Sequence, residues 1–346
     1  MDSPAPASID PPASITGRGA RGHWVPGLAF CTVGMGIATV VASALPGLSA
    51  LLVAIVLGAV VANTTAVPAV LARGVALAAK PVLRAGIVLL GLQVGLQEIF
   101  GLGAPMVLTV VATVGIGILA TLWIGKRLGV PPAQRLLIAC GFSICGAAAV
   151  AAVEGVTDAE EEDVGVAVGL VVVFGTLMIP SVPLLSGLLG LGEYQAGLWA
   201  GAATHEVAQV VAIGGTLGPG ALATAVVVKL ARVLMLAPIM AVLAWQVRRA
   251  AGAADGPAGT LPPLVPLFVV GFVGMMMLAS TGLVPAAVLE GAKTLESMCL
   301  ATAMFALGLG VQVRSLLKVG ARPVVLGAVS TVIVASTALT GVLLAS

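Results

Sequence analysis

Apolar runs of about the twenty residues a helix needs to cross a bilayer follow one another along most of this chain. Eleven are legible: Gly27–Leu45, Leu48–Asn63, Val82–Gln97, Ala104–Ile124, Ala133–Val153, Val164–Leu185, Gly192–Gly215, Ala221–Val247, Leu264–Leu283, Leu295–Val313 and Val324–Leu344. The second is short. The pattern predicts an all-α, polytopic membrane protein of about eleven transmembrane helices over residues 27–346. Residues 1–26, rich in Pro, Ser and Ala, read as a mobile tail without a cleavable-signal pattern.

Composition agrees and excludes much else. Of 346 residues, 60% are hydrophobic and 9% charged, against roughly 25% charged in soluble domains. That is too little polar surface for a soluble enzyme, a nucleic-acid binder or a disordered regulator. Cys31, Cys140, Cys145 and Cys299 lie in apolar stretches without CxxC spacing and read as small core residues. No cofactor is expected. With His205 and the tail's His23 as the two histidines, no three-ligand metal site can be assembled.

Charge sets the orientation. With the N-terminus inside and eleven crossings, twelve of sixteen basic residues fall inside: Arg18, Arg21, Arg73, Lys80, Lys126, Arg127, Arg135, Arg248, Arg249, Arg314, Lys318 and Arg322. Lys293 alone falls outside. By the positive-inside rule the N-terminus is cytoplasmic and the C-terminus outside. The acidic run Asp158, Glu160, Glu161, Glu162 and Asp163 then reads as a solvated outer loop.

Two pairs of segments resemble each other. Leu89–Ala104 aligns with Ala306–Ala321 through identities such as Leu90–Gly91–Leu92 with Leu307–Gly308–Leu309, and these helices are expected to run in opposite directions. Gly141–Gly155 aligns with Gly201–Gly215, each followed by a long apolar helix containing proline (Pro180, Pro238). The repeat-related segments are 81–190 and 192–247 plus 295–346, and internal, inverted repeats are common in transporters. In an eleven-crossing topology the second pair runs parallel, which conflicts with simple inversion.

Charges deep in a membrane helix cost at least ~2.5 kcal/mol each and mark function or pairing. Lys229 and Arg232 stand ten and thirteen residues after Pro219, roughly 15–20 Å into the bilayer at 1.5 Å per residue. Their i, i+3 spacing shares a face. They either bind a substrate or satisfy carbonyls structurally. His205, Glu206 and Gln209, with Thr204 before them, occupy the middle of the seventh segment. Ser143, Cys145 and Gly146 sit in GFSICG of the fifth. Closely spaced glycines permit a helix break, and a broken helix exposes N–H groups and a positive dipole end fit for an oxyanion. Both segments are therefore expected to be broken crossing helices. Lys80 and Arg84 read as snorkelling residues. Gln93 and Gln312 read as pore lining or interhelical hydrogen bonds, and Glu154 and Glu296 stay ambiguous. Two deep cations against one carboxylate favour an anion, and no aspartate lies within a span.

The stretches LRAGIVLLGLQV, GFSICGAAAVAA, HEVAQVVAIGG, VVVKLARVLMLAP and ALGLGVQVRSLLKVGARP resemble the sulfate exporter family of bacterial inner-membrane proteins, from about Val25 to the C-terminus. The resemblance implies a secondary transporter with broken crossing helices, similar in outline to bile-acid and sodium/proton transporters, and ranks sulfate first among oxyanions. GAAAVAA departs from the pattern, since a hydroxyl residue is expected near Ala148. The resulting expectation is a small-anion transporter in the inner membrane, working by alternating access. It is not an enzyme, and a homo-oligomer is left open. Ser143, Cys145, Gly146, Thr204, His205, Gln209, Lys229 and Arg232 would bind substrate, and Glu206 or His205 would take up the coupling proton. The rivals are a cation/proton antiporter carried by Glu206, an intramembrane enzyme using His205 and Glu206 as a base pair, and a passive channel.

Overall fold

The computed structural model describes residues 24–45, 50–93, 95–157, 159–252, 267–311 and 320–346, and among them all regular structure is helical. Most of the N-terminal tail, Asp158, Gln312, Arg314 and Lys318 lie outside the described residues. The helices are α1 (Val25–Ala44), α2 (Ala50–Thr64), α3 (Ala69–Gln93), α4 (Leu96–Gly101), α5 (Gly103–Arg127), α6 (Pro132–Ser143) and α7 (Ala147–Glu154). There follow α8 (Glu161–Leu188), α9 (Glu193–Ala203), α10 (Val207–Leu217), α11 (Pro219–Arg249), α12 (Leu267–Ser280), α13 (Ala286–Leu309) and α14 (Ala321–Ala345). Prolines Pro132 and Pro219 stand in the first turns of α6 and α11, where a missing N–H breaks no helical bond. Pro81 inside α3 lacks that donor mid-helix, and the backbone loosens there into a π turn over Ala78–Val82.

Helices α1, α3, α5, α8, α11 and α14 are long and apolar enough to cross a membrane, and α2 and α12 are shorter apolar helices. α13 is also of spanning length but carries Glu290, Lys293 and Glu296.

The fifth and seventh apolar segments depart from the expected crossings, because each folds back on itself. In the first, a side chain added at Gly141 would strike Val150, nine residues on. A continuous helix would hold those residues about 13 Å apart. The Gln134 side chain at the start of α6 lies beside the Asp163 carboxyl at the start of α8, so the chain returns to the end it left. In the second, the Glu193 carboxylate at the start of α9 accepts from the amides of Gly220 (2.9 Å) and Ala221 (3.2 Å), just beyond the end of α10. Thus α6–α7 and α9–α10 are helical hairpins. Arms of eight to twelve residues reach about 12–18 Å, half the thickness of a bilayer core.

The hairpins come from opposite ends. At one end gather the start of α6, the end of α7, the Lys80–Glu154 ion pair (2.8 Å) and Arg322, which lies over Gly129. At the other, the Gln195 amide donates to Ser346 (3.0 Å) beside Glu193. This corrects the position of the acidic run: Glu160 to Asp163 lie at the basic end, because the first hairpin returns the chain there.

Packing divides the helices into two groups. α1, α2, α3, α12 and α13 form one bundle. The hairpins pack with α5, α8, α14 and the first half of α11 in the other. Within the first bundle α3 and α13 run antiparallel: Gly86 lies on Leu300, and Gln93 donates to the Leu289 carbonyl (3.4 Å). A cavity of about 220 Å³ between the bundles opens at the basic end between Val75, Ala79 and Lys80 on one side and Glu154, Glu161 and Val164 on the other.

Candidate functional site

The two hairpin tips meet in the middle of the second bundle. Ser143 and Ala203 end the first arms, and Ala147 and Val207 begin the second arms. Both boundaries are sixty residues apart, the offset at which Gly141–Gly155 aligns with Gly201–Gly215. The first tip turns through Ile144 (φ −105°, ψ −84°) and Gly146 (φ +76°, ψ −136°), and the second through extended Thr204 and Glu206.

Each tip exposes carbonyls that a continuous helix would have bonded, and α11 supplies the donors. Lys229 Nζ donates to the carbonyls of Ile144 (3.0 Å), Thr204 (2.8 Å) and His205 (2.6 Å). Arg232 Nε donates to Ser143, one terminal nitrogen to Ala202 and Thr204, and the other to Phe142 and Ser143, at 2.7–3.2 Å. Both side chains are fully buried. Three ammonium protons and five guanidinium protons are all the donors these groups possess. The two cations neutralise the negative dipole ends of α6 and α9 and bolt the tips together. Of the two sequence-based expectations, this is the carbonyl-satisfying arrangement, and no proton of either cation remains for an anion.

The positive ends of the second arms are treated differently. Glu206, the residue before α10 and 3% exposed, reaches across to the other hairpin, where its Oε1 accepts from the Ala147 amide at the start of α7 (3.0 Å). The Glu206 amide donates to Gln209 Oε1 (3.1 Å). Among the described residues the amides of Ala148 and Val207 have no hydrogen-bond acceptor. Both residues, with Cys145 and Glu206, line a cavity of about 40 Å³ between the tips and the other bundle. It holds little more than one water. Its remaining wall is apolar, from Leu51, Ile87, Leu90, Leu300 and Met304, with Val233 and Leu236 of α11.

Of the other expected site residues, His205, Ser143, Thr204 and Gln209 lie outside the lining of this cavity. His205 packs on the Phe142 ring, and its nitrogens face the Phe142 carbonyl and Thr331 Oγ1, each at 3.0 Å. Since the carbonyl only accepts, Nδ1 carries a proton. The hydroxyls of Ser143 and Thr204 and the amide nitrogen of Gln209 are buried without a partner. Ser143 faces Gly117 and Gln209 faces Gly175. Arg84 stacks over Phe268 (5.6 Å), and Glu296 accepts from Ser297. Sequence reasoning missed Thr331, Glu193 and the apolar wall, whose only local signal is hydrophobicity.

Opposed hairpins with buried, charge-bonded tips, set among membrane-length helices, define a multi-pass helical membrane protein with a paired-hairpin core. The family described as conserved hypothetical protein 698 matches residues 26–327, and the chain belongs to it. It is 49% identical to a UPF0324 membrane protein of Corynebacterium glutamicum over 96% of both chains. It is 37% identical to the UPF0324 inner membrane protein YeiH of Escherichia coli K12, over 89% of this chain and 90% of that one. A UPF0324 membrane protein of Agrobacterium fabrum is 34% identical over 82% of this chain and 80% of its own. No solved structure matches the chain.

Proposed function

We propose that this protein is a secondary transporter that moves a small oxyanion across the inner membrane by alternating access, with Glu206 carrying the coupling proton. The observation behind this reading is the Glu206 carboxylate seated on the N-terminus of α7, beside the unpaired amides of Ala148 and Val207. A helix N-terminus favours an anion, and here the chain's own carboxylate fills that role. Protonation removes its charge and its claim on the amide, and a substrate anion takes the place. Deprotonation expels the substrate. Lys229 and Arg232 hold the tips in register for this exchange. Sulfate stands first among inorganic oxyanions by family resemblance. Inner-membrane residence is supported by the name of the Escherichia coli relative.

The topology proposed is nine crossings with two re-entrant hairpins, α6–α7 from the cytoplasm and α9–α10 from outside, which is an inverted pair. It resolves the parallel-repeat conflict: turning both segments back leaves every later helix in its expected orientation, with the N-terminus inside and the C-terminus outside. Arg73, Lys80, Arg127, Arg135 and Arg322 stay cytoplasmic, as the positive-inside rule requires. In a protein with its native cysteines replaced, a cysteine at Glu161 will react with impermeant thiol reagents from the cytoplasmic face, and one at Tyr194 from outside. Labelling of both from the same face would refute the opposed hairpins.

The central test is uptake of labelled sulfate into proteoliposomes, with and without a pH gradient, for wild type and Glu206→Gln. Wild-type flux should follow the gradient. The substituted glutamine keeps a carbonyl for the Ala147 amide but cannot exchange a proton, so the variant's residual flux should ignore the gradient. A Glu206→Gln protein with an unaltered pH response would move the coupling elsewhere. An anion-insensitive sodium flux would favour the cation antiporter instead. That rival needs Lys229 as counter-charge to Glu206, whereas all three Lys229 protons lie on carbonyls. An enzymatic reading lacks support for its base pair, since both His205 nitrogens already face partners.

A further inference from the structure

Resting on the alternating-access reading and deepening it, we infer that the seam between α3 and α7 is the cytoplasmic entry to the hairpin tips. The Lys80–Glu154 ion pair locks its mouth, and Arg84 is the cation that an entering oxyanion meets inside it. The cavities along the seam, its packing and the unspent donors of Arg84 carry this.

Three cavities share lining residues in series. The 220 Å³ cavity at the basic end is lined by Lys80 and Glu154 among others. Lys80 also lines a cavity of about 10 Å³, where Leu83, Arg84 and Ile87 of α3 stand opposite Ala148, Ala151 and Ala152 of α7. Ile87 and Ala148 in turn line the 40 Å³ cavity beside Cys145 and Glu206. The series joins the basic end to the tips. Its middle member has room for one water at most, so the seam is shut in this structure.

The seam is also a boundary between the bundles, since α3 belongs to the first and α7 to the second. Moving one bundle against the other opens it without unpacking either. The α7 side is alanine at all three positions, so no long side chain interlocks with α3. What crosses the mouth is the ion pair, Lys80 Nζ to Glu154 Oε1 at 2.8 Å, with Lys80 50% and Glu154 16% exposed. So accessible a pair adds little to the stability of the fold. Its partners nevertheless stand on opposite bundles, and its whole contribution falls on the closed seam.

Arg84 differs from the cations at the tips. Lys229 and Arg232 have every proton on a carbonyl. Among the described residues Arg84 donates no hydrogen bond, and its guanidinium rests over the Phe268 ring at 5.6 Å. Its planar fork is open to bidentate pairing with an oxyanion. It stands four residues beyond Lys80 along α3, towards Ile87 and the tip cavity.

The test uses the native Cys145 as reporter, in full-length protein with Cys31, Cys140 and Cys299 replaced by alanine and reconstituted in vesicles. Anionic sulfonatoethyl methanethiosulfonate is added at the cytoplasmic face, and the rate of Cys145 modification is measured. Lys80→Gln and Glu154→Gln should each raise that rate about two- to fivefold, the worth of an accessible ion pair, while melting as wild type does. The reversed pair, Lys80→Glu with Glu154→Lys, should restore the wild-type rate, which a general loosening would not do. Ala151→Leu, filling the seam, should slow modification in every background. Arg84→Gln should slow the anionic reagent relative to its cationic trimethylammonium analogue. Rates unmoved by the Lys80, Glu154 and Ala151 variants would place the entry elsewhere and overturn the inference, whatever the sulfate flux. Equal effects of Arg84→Gln on both reagents would remove Arg84 from it. The expected rates in a protein without sulfate flux would uphold the gate and count against the sulfate reading alone.

Discussion

Arg232→Met should melt several degrees below wild type, and its loss of transport should follow from loss of the folded tips. A substrate-binding role alone would leave a folded protein that merely fails to bind, but the geometry predicts otherwise. Five charge-assisted hydrogen bonds leave with the guanidinium, and they join carbonyls of both hairpins: Phe142 and Ser143 on one, Ala202 and Thr204 on the other. Those oxygens are buried where no water replaces the donor. Breaking one side of a buried charged arrangement costs about 3–5 kcal/mol, a fall of roughly 4–7 °C in a chain of this size. Arg232→Lys retains the charge but not the planar fork and should recover only part of the loss. Thermal unfolding in nanodiscs reads all three proteins. A melting temperature for Arg232→Met indistinguishable from wild type would mean the tips are held by something else.

The second large effect belongs to Gly146. Its φ of +76° lies in the left-handed region, and the methyl of an alanine would collide with the Glu206 side chain. Strain of this kind costs about 1–3 kcal/mol. The collision adds a specific consequence, displacement of Glu206 from the Ala147 amide. Gly146→Ala should therefore lose transport by at least tenfold even in protein that remains folded, and the pH dependence of its residual flux should shift with the displaced carboxylate. Alanine at Gly101, which meets open space on α4, is the control and should behave as wild type. Equal flux from Gly146→Ala and wild type would separate Glu206 from the transport cycle.

These predictions differ in how far they could be drawn from sequence. Lys229, Arg232, His205 and Glu206 stand out locally because charge in an apolar run is costly wherever the run ends up. The breaks are legible for a similar reason: the repeat places GFSICG against GAATHE at a sixty-residue offset, and that offset is the register of the two turns. The partners of the charges are not legible. The Ile144 carbonyl is 85 residues from Lys229 and the Ala147 amide 59 from Glu206, and backbone groups carry no residue-specific signal. Hence the sequence leaves open whether the two cations serve a foreign anion or the chain's own carbonyls, and the carbonyls they reach appear only in the fold.

Membrane class, all-helical structure, the basic end of the molecule and the positions of both helix breaks follow from hydropathy, charge and internal repetition, all properties of neighbouring residues. Whether a broken apolar segment crosses or turns back does not. Two short arms and one spanning helix contain the same number of apolar residues, and hydropathy weighs both alike. Contacts remote in the chain decide it: Glu193 on the start of α11, Gln134 on Asp163 and Gly141 on Val150. The direction of the hairpins, the side of the acidic run and the occupant of each helix end are set there, because they depend on which distant surfaces satisfy buried polar groups.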